Sequence, residues 1–377
     1  MSAIACIEDL RKKAKKRVPR MFYDYADGGS WSESTYRANE DDLQAIKFRQ
    51  RVAIDVNRRD TGMEMLGKKV TMPVALAPTG LTGMLHADGE ILAAKAAADF
   101  GVPFTLSTMS ICSIEDVAAN SDAPFWFQLY VMRDREFIRR LVERTRAANC
   151  SALMITLDLQ IMGQRHKDVR NGLSAPPKPT LRNLINLIQK PAWCLGMMGT
   201  KRRQFGNIVG HVKGVKDVSS LADWTVSQFD ASLSWEDVKE IRKQWGGKLI
   251  IKGILDAEDA RNAVNVGADA IVVSNHGGRQ LDGALSAIKA LPAIVDAVGN
   301  KAEVWMDSGI RSGQDVLRAI ALGAQGTLIG RAFLYGLGAY SQVGVTQALE
   351  IIHKELDLTM GLCGQSELRK VDSSILL

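Results

Sequence analysis

The sequence predicts an α/β protein folded as a TIM (β/α)8 barrel. Short apolar runs recur along the chain, segments of amphipathic helical period separate them, and the repeat fills about 250 residues, the size of one such barrel. Near-continuous apolar strands that alternate with helices indicate a parallel sheet covered on its faces. The predicted strands are 73–77, 104–106, 125–131, 152–157, 248–251, 270–273, 303–306 and 326–329.

The helices are predicted from apolar positions spaced three and four residues apart between these strands. They are 89–100, 134–148, 234–244, 257–266 and 312–322. We interpret residues 1–377 as a single domain. Residues 1–70 would form an N-terminal helical extension, and residues 171–230 a long insertion between the fourth and fifth barrel strands.

The composition limits the class of protein. Apolar residues make up 46% of the chain and charged residues 24%, which is typical of a globular protein. The five cysteines include no Cys-x-x-Cys pair, which argues against zinc and a disulfide framework and favours a reducing compartment. We find no apolar run of about 18 residues and no secretory signal, so we expect neither a spanning helix nor export.

Charge is concentrated in the predicted insertion. Residues 171–220 carry eight lysines and arginines against a single acid, Asp217, while the whole chain carries a net charge of +6. The same stretch is rich in Leu, Ile and Met and contains Trp193 and Phe205. Basic and apolar residues together predict an element that lies on a membrane surface. Nucleic acid is not expected, because no nucleic-acid motif accompanies the charge. An ordinary basic surface loop is the alternative.

Polar or glycine residues lie at the carboxyl end of every predicted strand. Barrel enzymes build their active sites at the carboxyl ends of the strands, so this pattern predicts a site there. The residues are Pro78, Thr79, Gly80, Ser107, Gln128, Tyr130, Thr156, Asp158, Lys252, Ser274, Asp307, Gly309, Arg311, Gly330 and Arg331.

The loop after the sixth strand carries the clearest chemistry. It reads Ser-Asn-His-Gly-Gly-Arg-Gln-Leu-Asp over residues 274–282. His276 is a base and Arg279 a fixed cation, and Gly277 and Gly278 allow a sharp turn and close approach of a ligand. This arrangement suits a small anionic substrate that must lose a proton. The alternative is a histidine that merely caps a strand beside a solvated arginine.

The last two strand-end loops predict a phosphate site. They contain Gly309, Arg311, Gly330 and Arg331, which supply backbone N–H groups and positive charge. We also expect the helix that begins near Ser312 to direct its N-terminal dipole at the phosphate.

Neutral hydrogen-bonding side chains lie on the first four strands or at their carboxyl ends: Thr79, Ser107, Gln128 and Thr156. They suit the heteroatom edge of a flat ring better than a metal, which would need clustered His or carboxylate ligands. Lys252 would point into the barrel, where an ammonium needs negative charge. A reduced flavin would provide that charge, and a Schiff-base lysine of the aldolase type is the alternative.

These residues carry a family resemblance. In family order, the matching segments are 23–25, 77–80, 106–108, 127–131, 156–158, Arg165, 251–253, 274–282, 307–311 and 330–331. The chain resembles the FMN-dependent 2-hydroxy acid dehydrogenases and oxidases over nearly its whole length. Within that family it is most similar to the membrane-associated, quinone-linked L-lactate dehydrogenases of bacteria.

The resemblance implies a role for each matching residue. His276 would accept the substrate proton and Asp158 would stabilise the resulting imidazolium. Arg279 and Tyr25 would hold the substrate carboxylate. Tyr130 and Arg165 would contact the hydroxyl side. FMN would be bound by Pro78, Thr79, Gly80, Ser107, Gln128, Thr156, Lys252, Ser274, Asp307, Gly309, Arg311, Gly330 and Arg331.

The resemblance also implies a function. FMN would oxidise L-lactate or a similar small L-2-hydroxy acid to the 2-oxo acid and pass electrons to quinone. The enzyme would be a peripheral homotetramer on the cytoplasmic face of the inner membrane. Three alternatives remain: a soluble oxidase that makes peroxide, an FMN isomerase or aldolase, and a non-catalytic phosphate-binding barrel. Leu159, Gln160 and His166 depart from the family pattern in the fourth loop, and Met109 and Met162 are expected to shape the side-chain pocket.

Overall fold

The computed structural model describes residues 3–173, 180–212, 224 and 227–377. Its strands, in chain order, are β1 Met63–Met65, β2 Lys68–Val70, β3 Val74–Leu76, β4 Thr105–Ser107, β5 Trp126–Tyr130, β6 Ala152–Thr156, β7 Lys248–Ile254, β8 Ala270–Val273, β9 Glu303–Met306 and β10 Gly326–Ile329. β3 to β10 form one sheet of eight parallel strands in the order β3-β10-β9-β8-β7-β6-β5-β4. A parallel bridge between Leu76 and Phe104 joins the two edges. The predicted TIM barrel is confirmed.

Helices cover the outside of the barrel. They are α1 Ile7–Arg17, α2 Arg20–Asp27, α3 Ser34–Ala45, α4 Thr82–Leu85, α5 Gly89–Phe100, α6 Ile114–Ala118, α7 Arg135–Ala147, α8 His166–Arg170, α9 Leu181–Ile188, α10 Pro191–Gly199, α11 Trp235–Trp245, α12 Ala257–Asn265, α13 Ala287–Val298, α14 Gly313–Ala321 and α15 Arg331–Leu362. Two short 3-10 helices, Leu368–Lys370 and Ser373–Ile375, follow. α15 is kinked, because Tyr340 and Ser341 have non-helical backbone angles.

Side chains along each strand point alternately outward and inward, so the strands contribute to two apolar layers. One set of strand residues packs outward against the helices. The other set fills the barrel with residues such as Met154, Ile250 and Val272. Inside the barrel Trp126, the first residue of β5, stacks on Trp305 of β9, with ring centroids 5.1 Å apart. Since side chains two residues apart share a face, the inward set continues toward the carboxyl ends as polar residues.

The β1–β2 hairpin closes the end of the barrel opposite the predicted site. Met65 lies fully buried in the inner cluster. The backbone N–H of Leu66 donates to the Glu303 carboxylate at 3.0 Å, and Glu303 begins β9. The barrel therefore opens at the carboxyl ends of its strands.

The N-terminal helices reach that open end. The N–H of Ser30 donates to the carbonyl of Gly278 at 2.9 Å. The carboxylate of Asp282 accepts from Ser32, Ser34 and the backbone N–H of Thr35 at the start of α3. These contacts fasten the loop after β8 to the segment between α2 and α3.

α9 and α10 lie in the segment between β6 and β7. They expose a row of large apolar side chains: Leu181, Leu184, Ile185, Ile188, Leu195 and Met198. Within the described ranges no helix is both long enough and apolar enough to span a bilayer. Lys178, Lys213, Lys216 and Asp217, which the charge count of the insertion included, lie outside the described residues.

Candidate active site

A cavity of about 940 Å³ opens at the carboxyl ends of the barrel strands. Most of the residues predicted for the site line it: Tyr25, Pro78, Thr79, Gly80, Tyr130, Thr156, Arg165, Lys252, His276, Arg279, Asp307, Gly309, Arg311, Gly330 and Arg331. The other four predicted residues lie against this wall. Asp158 bonds to His276, Ser274 to Lys252, and Ser107 to both Gln128 and the N–H of Met109, which is in the wall.

A left-handed turn positions the base. His276, Gly277 and Gly278 have φ angles of 60°, 66° and 69°. A non-glycine residue in this region costs roughly 1–3 kcal/mol and is often found at a functional site. The backbone N–H groups of this turn all donate hydrogen bonds of 3.0 Å. That of His276 donates to Ser274 Oγ, that of Gly277 to Ser308 Oγ and that of Gly278 to the side-chain oxygen of Asn275. These bonds offset the strain and hold the imidazole toward the cavity.

His276 is paired with Asp158. The distance from His276 Nδ1 to Asp158 Oδ1 is 2.8 Å, and both side chains are largely buried. Burial lowers the pKa of His276 below its ordinary value, although Asp158 opposes this. Burial would raise the pKa of Asp158, but His276 and Lys252 outweigh it, so the pKa falls. The resting pair is therefore a neutral imidazole whose Nδ1 hydrogen faces a carboxylate, which leaves Nε2 as a base.

Nε2 of His276 faces the cavity beside Tyr130. The Tyr130 hydroxyl lies 3.5 Å from Nε2, and the two rings are nearly parallel with centroids 6.5 Å apart. Burial raises the pKa of Tyr130, so the phenol stays protonated and can act as a hydrogen-bond donor.

Arg279 lies buried beside this pair with no carboxylate within 4 Å among the described residues. Its guanidinium lies over the ring of Tyr25, 4.7 Å from the centroid, and donates to the carbonyl of Gly28 at 2.8 Å. Burial, and then the nearby Arg165, lower its pKa to about 10. Among the described residues, the one carboxylate within 4 Å of the Arg165 guanidinium is that of Asp168, at 3.8 Å. Arg279 remains a cation at neutral pH and a second guanidinium lies near it, so this end of the cavity favours an anion.

Lys252 enters the barrel from β7 and is almost fully buried. Its ammonium lies 2.9 Å from the Asp307 carboxylate and donates to Ser274 Oγ at 2.8 Å. Burial alone would lower the pKa of Lys252, but Asp307 and Asp158 outweigh it and raise the pKa. The negative charge that Lys252 needs is thus supplied by Asp307, whereas sequence reasoning assigned that role to a ligand. A charged lysine is also a poor Schiff-base nucleophile.

Buried polar atoms near Lys252 fit the edge of a flavin. Gln128 Nε2 and Thr156 Oγ1 are buried and have no hydrogen-bond partner within the described part of the chain. Unsatisfied buried polar groups are costly, so a ligand is expected to complete them. A donor, a hydroxyl and an ammonium on adjoining strands match the nitrogen and carbonyl edge of an isoalloxazine ring.

The end of the cavity that was predicted to bind a phosphate lies at the start of α15. Its cap residue, Gly330, brings no capping side chain, and a Cβ there would meet nothing closer than 3.7 Å. Arg331 begins the helix, and Gly309 and Arg311 lie in the same wall. Exposed helix N–H groups beside cations are a ready anion site. Arg311 is also 3.0 Å from Glu40, so part of its charge is already compensated.

The expectation for the helix near Ser312 is wrong. The N–H groups of Arg311 and Ser312 donate to the Asp315 carboxylate, and that of Gly313 donates to Glu355. Because the carboxylates of Asp315 and Glu355 already accept these hydrogen bonds, the N-terminus of α14 binds protein side chains and not a phosphate.

Sequence reasoning missed the residues that position the catalytic ones. Gln280 donates to the carbonyls of Asp158 at 2.8 Å and Ile161 at 2.9 Å, and its oxygen accepts from Gly163 at 3.3 Å. It therefore ties the fourth loop to the loop of His276. Gln280 lies within residues 274–282, but in that segment the sequence predicted roles for Ser274, His276 and Arg279 and none for Gln280.

The comparisons with known proteins agree with this geometry. The profile described as "FMN-dependent dehydrogenase" matches residues 14–377. The chain belongs to this family. Its site therefore serves FMN, and the predicted cofactor and oxidoreductase class are confirmed.

Curated relatives and solved structures extend the match to the whole chain. L-lactate dehydrogenase of Caulobacter vibrioides (strain NA1000 / CB15N) is 47% identical over 375 residues, covering 99% of this chain and 97% of that protein. L-lactate dehydrogenase of Ectopseudomonas mendocina (strain ymp) is 47% identical over 376 residues, covering 99% of each. The crystal structure of the monotopic membrane protein (S)-mandelate dehydrogenase matches with a TM-score of 0.95 at 36% identity, covering 100% of each chain.

Proposed function

We propose that this protein oxidises L-lactate, or a similar small L-2-hydroxy acid, to the 2-oxo acid. The observation that carries the proposal is the buried His276–Asp158 pair beside Arg279, a buried cation without a carboxylate partner in the described structure. A base and an anion site on one side of the cavity are what a hydroxylated carboxylate requires. The names of the relatives that match over the full chain support lactate as the substrate.

The residues divide the work as follows. Arg279, with Tyr25 beside it, holds the substrate carboxylate, since a guanidinium binds a carboxylate through two parallel hydrogen bonds. His276 Nε2 accepts the hydroxyl proton, and Asp158 stabilises the imidazolium that forms. Tyr130 donates a hydrogen bond near the substrate oxygen. When bound, FMN supplies the two-electron acceptor for the substrate.

The pocket favours a small substituent on the acid. Gly80, Met109 and Met162 all line the cavity. A Cβ at Gly80 would lie 3.0 Å from the Tyr25 hydroxyl and 3.3 Å from Met109 Cβ. We infer that these two methionines narrow the side-chain pocket, which would favour the methyl group of lactate over an aromatic substituent.

Anaerobic bleaching of the bound flavin tests the proposal. L-lactate should bleach the yellow protein rapidly, D-lactate should not, and L-mandelate should react more slowly because of Met109 and Met162. In a Met109→Gly variant, the rates of bleaching by L-mandelate and by L-lactate are expected to differ less than in the native protein. A protein that L-lactate leaves yellow would refute the proposed reaction. Peroxide formed stoichiometrically in air would instead favour the oxidase alternative.

We infer that the enzyme works on a membrane surface, as a peripheral protein on the cytoplasmic face of the inner membrane, and passes its electrons to quinone. The support is the row of exposed apolar side chains on α9 and α10, with Lys201 and Arg203 exposed next to it. The related (S)-mandelate dehydrogenase is named a monotopic membrane protein. The homotetramer, and the domain limits 1–70 and 171–230, stay predictions.

Vesicle flotation tests the surface. The native protein should float with vesicles that contain anionic lipid, and a Leu184→Gln, Leu195→Gln variant should remain in solution while still being bleached by L-lactate. A matched double variant at the exposed Val343 and Leu358 of α15 is expected to float normally. Equal flotation of all three proteins would refute the assignment.

A further inference from the structure

A β-bulge in β7 lies beside the carboxylate of the His276–Asp158 pair. Lys252 pairs with Thr156 on β6 and with Val272 on β8, but the next partner of β8 is Ile254, so Gly253 is left out of the ladder. Gly253 has a φ of 99°, in the region that favours glycine. Bulges are common beside active sites, where they change the direction in which a side chain points.

The backbone of the bulge packs directly on Asp158. A Cβ at Gly253 would lie 2.8 Å from both the Cβ and the Cγ of Asp158, and 3.0 Å from its backbone nitrogen. Carbon atoms in contact are about 3.5–4.0 Å apart. Any side chain at position 253 would therefore displace Asp158 by about 0.7 Å. A displacement of that size is enough to break the hydrogen bond to His276, which is 2.8 Å long.

Few other contacts hold the carboxylate of Asp158. Its Oδ1 lies 2.8 Å from His276 Nδ1, and its Oδ2 has no hydrogen-bond partner in the described ranges of the chain. Gln280 donates to the backbone carbonyl of Asp158 and not to the carboxylate. The direction of the carboxylate thus depends on one hydrogen bond and on the surface that Gly253 presents to it.

Hydrogen bonds on either side of the bulge reach the loops of both partners. The Lys252 carbonyl accepts from the N–H of Leu157, the residue before Asp158, at 3.0 Å. The Ile254 carbonyl accepts from the N–H of Ser274 at 3.0 Å. Ser274 Oγ accepts in turn from the N–H of His276 at 3.0 Å. Three consecutive residues of β7 therefore fix the carboxylate and the imidazole relative to each other.

We propose that Gly253 is a positioning residue of the reaction, because the bulge that it forms directs the Asp158 carboxylate at His276. The inference rests on the proposed function, in which His276 accepts the substrate proton. Gly253 itself does not line the catalytic cavity. Its effect on the reaction passes through Asp158, so a change at Gly253 alters proton transfer and leaves substrate binding as it is.

Anaerobic bleaching by L-lactate at a series of pH values tests the positioning role in Gly253→Ala. The maximal bleaching rate should fall about 10–100-fold, with the half-saturating lactate concentration unchanged. Because the imidazolium loses its carboxylate partner, the acid limb should move down by about one pH unit. Gly246→Ala is the matched control and should behave as the native protein. Gly246 is exposed, its φ is 72°, and a Cβ there would meet no atom within 4 Å.

The same substitution in an Asp158→Gly protein shows whether the effect passes through Asp158. Besides Asp158, the titratable or charged groups near His276 are Tyr130, Arg165, Lys252 and Arg279. A displaced Lys252, the neighbour of Gly253, would slow the reaction in either background. An effect that depends on Asp158 should disappear, so Gly253→Ala should leave the residual rate of Asp158→Gly unchanged. Equal fold-losses in the two backgrounds would overturn the proposal.

Thermal melting of the holoenzyme measures the contact without turnover. Gly253→Ala should lower the melting temperature more than Gly246→Ala does. Asp158→Gly removes both carbon atoms that the new Cβ would meet, so Gly253→Ala should cost much less in that background. If Gly253→Ala alone does not fold, folding of the Gly253→Ala, Asp158→Gly protein would support the same contact.

The two proposals fail in different ways. A native protein that L-lactate does not bleach would refute the proposed reaction, while the melting temperatures would still report the contact between Gly253 and Asp158. A native rate and acid limb in folded Gly253→Ala would overturn the positioning role. An equal loss of melting temperature with and without the Asp158 side chain would overturn it as well.

Discussion

Replacing Asp158 by Asn tests the base pair at the centre of the site. The asparagine keeps the shape and can still accept a hydrogen bond from His276, but it removes the charge that stabilises the imidazolium. The pair is 2.8 Å apart and largely buried. Unit charges about 4 Å apart at an effective dielectric constant of 20 attract by about 4 kcal/mol. That energy corresponds to a rate factor of about 10³. Because the hydrogen bond remains, we expect a rate about 10²–10³ slower.

The pH profile separates an electrostatic role from a merely structural one. The neutral imidazole is the active base, so the rate holds above the pKa of His276 and falls as pH drops through it. Burial already places that pKa below the ordinary value of about 6.5. Asp158 raises the pKa, so removing its charge should move the acid limb to still lower pH even as the rate falls.

Stopped-flow bleaching by L-lactate from pH 5 to 9 measures both effects. Asp256→Asn is the matched control, because Asp256 is an exposed cap of α12 and asparagine caps helices equally well. A native rate in Asp158→Asn, or an acid limb displaced upward, would contradict the reasoning.

Further predictions concern residues around the pair. Arg279→Lys should raise the KM for lactate by about 10–100-fold, with the flavin spectrum intact, because the two-pronged carboxylate contact is lost; an unchanged KM would place the carboxylate elsewhere. Gly278→Ala should lower the melting temperature sharply, since its Cβ would lie 2.5 Å from the backbone of Tyr36. Gly67 has a similar φ, but a Cβ there would meet no atom within 4 Å, so Gly67→Ala should lower the free energy of unfolding by only about 1 kcal/mol. Equal losses of stability in the two variants would show that backbone strain, and not the contact with Tyr36, sets the cost. Gln280→Leu should slow turnover about tenfold and lower stability by about 2 kcal/mol in chemical denaturation; native values in both would remove its positioning role.

The strands were the most predictable part of the fold. β8, β9 and β10 begin and end at the residues that the sequence predicted, because each short, mainly apolar run stops where polar or glycine residues start. β7 was predicted to end at residue 251 but continues to Ile254. Its register shifts at Gly253, whose φ is 99°, and periodicity alone cannot show such a bulge.

Some helices and the hairpin lay beyond what the pattern could show. β1 and β2 have three residues each, too few for an alternating period. α13 contains Pro292 within its span, a residue that usually marks the end of a helical pattern. α15 runs from Arg331 to Leu362 through a kink, which breaks its periodicity.

The residue types of the site could be predicted, but only some of their partners. Position at the carboxyl ends of the strands was enough to predict that Thr156, Lys252 and Asp307 lie at one site, and all three line the cavity. It could not show that Lys252 pairs with Asp307, because the alternation of side chains along a strand shows only that both face inward. The ion pair between Lys252 and Asp307 depends on the distance between strands that the closed barrel sets. The hydrogen bonds from the N–H groups of Arg311 and Ser312 to Asp315 likewise depend on the folded loop. Contacts between loops far apart in sequence leave no local periodic signal.

The two ends of the cavity share one backbone carbonyl. Arg331, at the phosphate end, donates to the carbonyl of Gly28 at 2.7 Å and to that of Gly277 at 2.9 Å. Arg279, at the carboxylate end, donates to the same Gly28 carbonyl at 2.8 Å. A carbonyl oxygen has two lone pairs and can accept both donors. An anion that draws Arg331 closer would therefore act on the carbonyl that holds Arg279 and on the turn that holds His276. Through Gly28 and Gly277, Arg331 at the start of α15 is therefore connected by hydrogen bonds both to Arg279 and to the turn that carries His276.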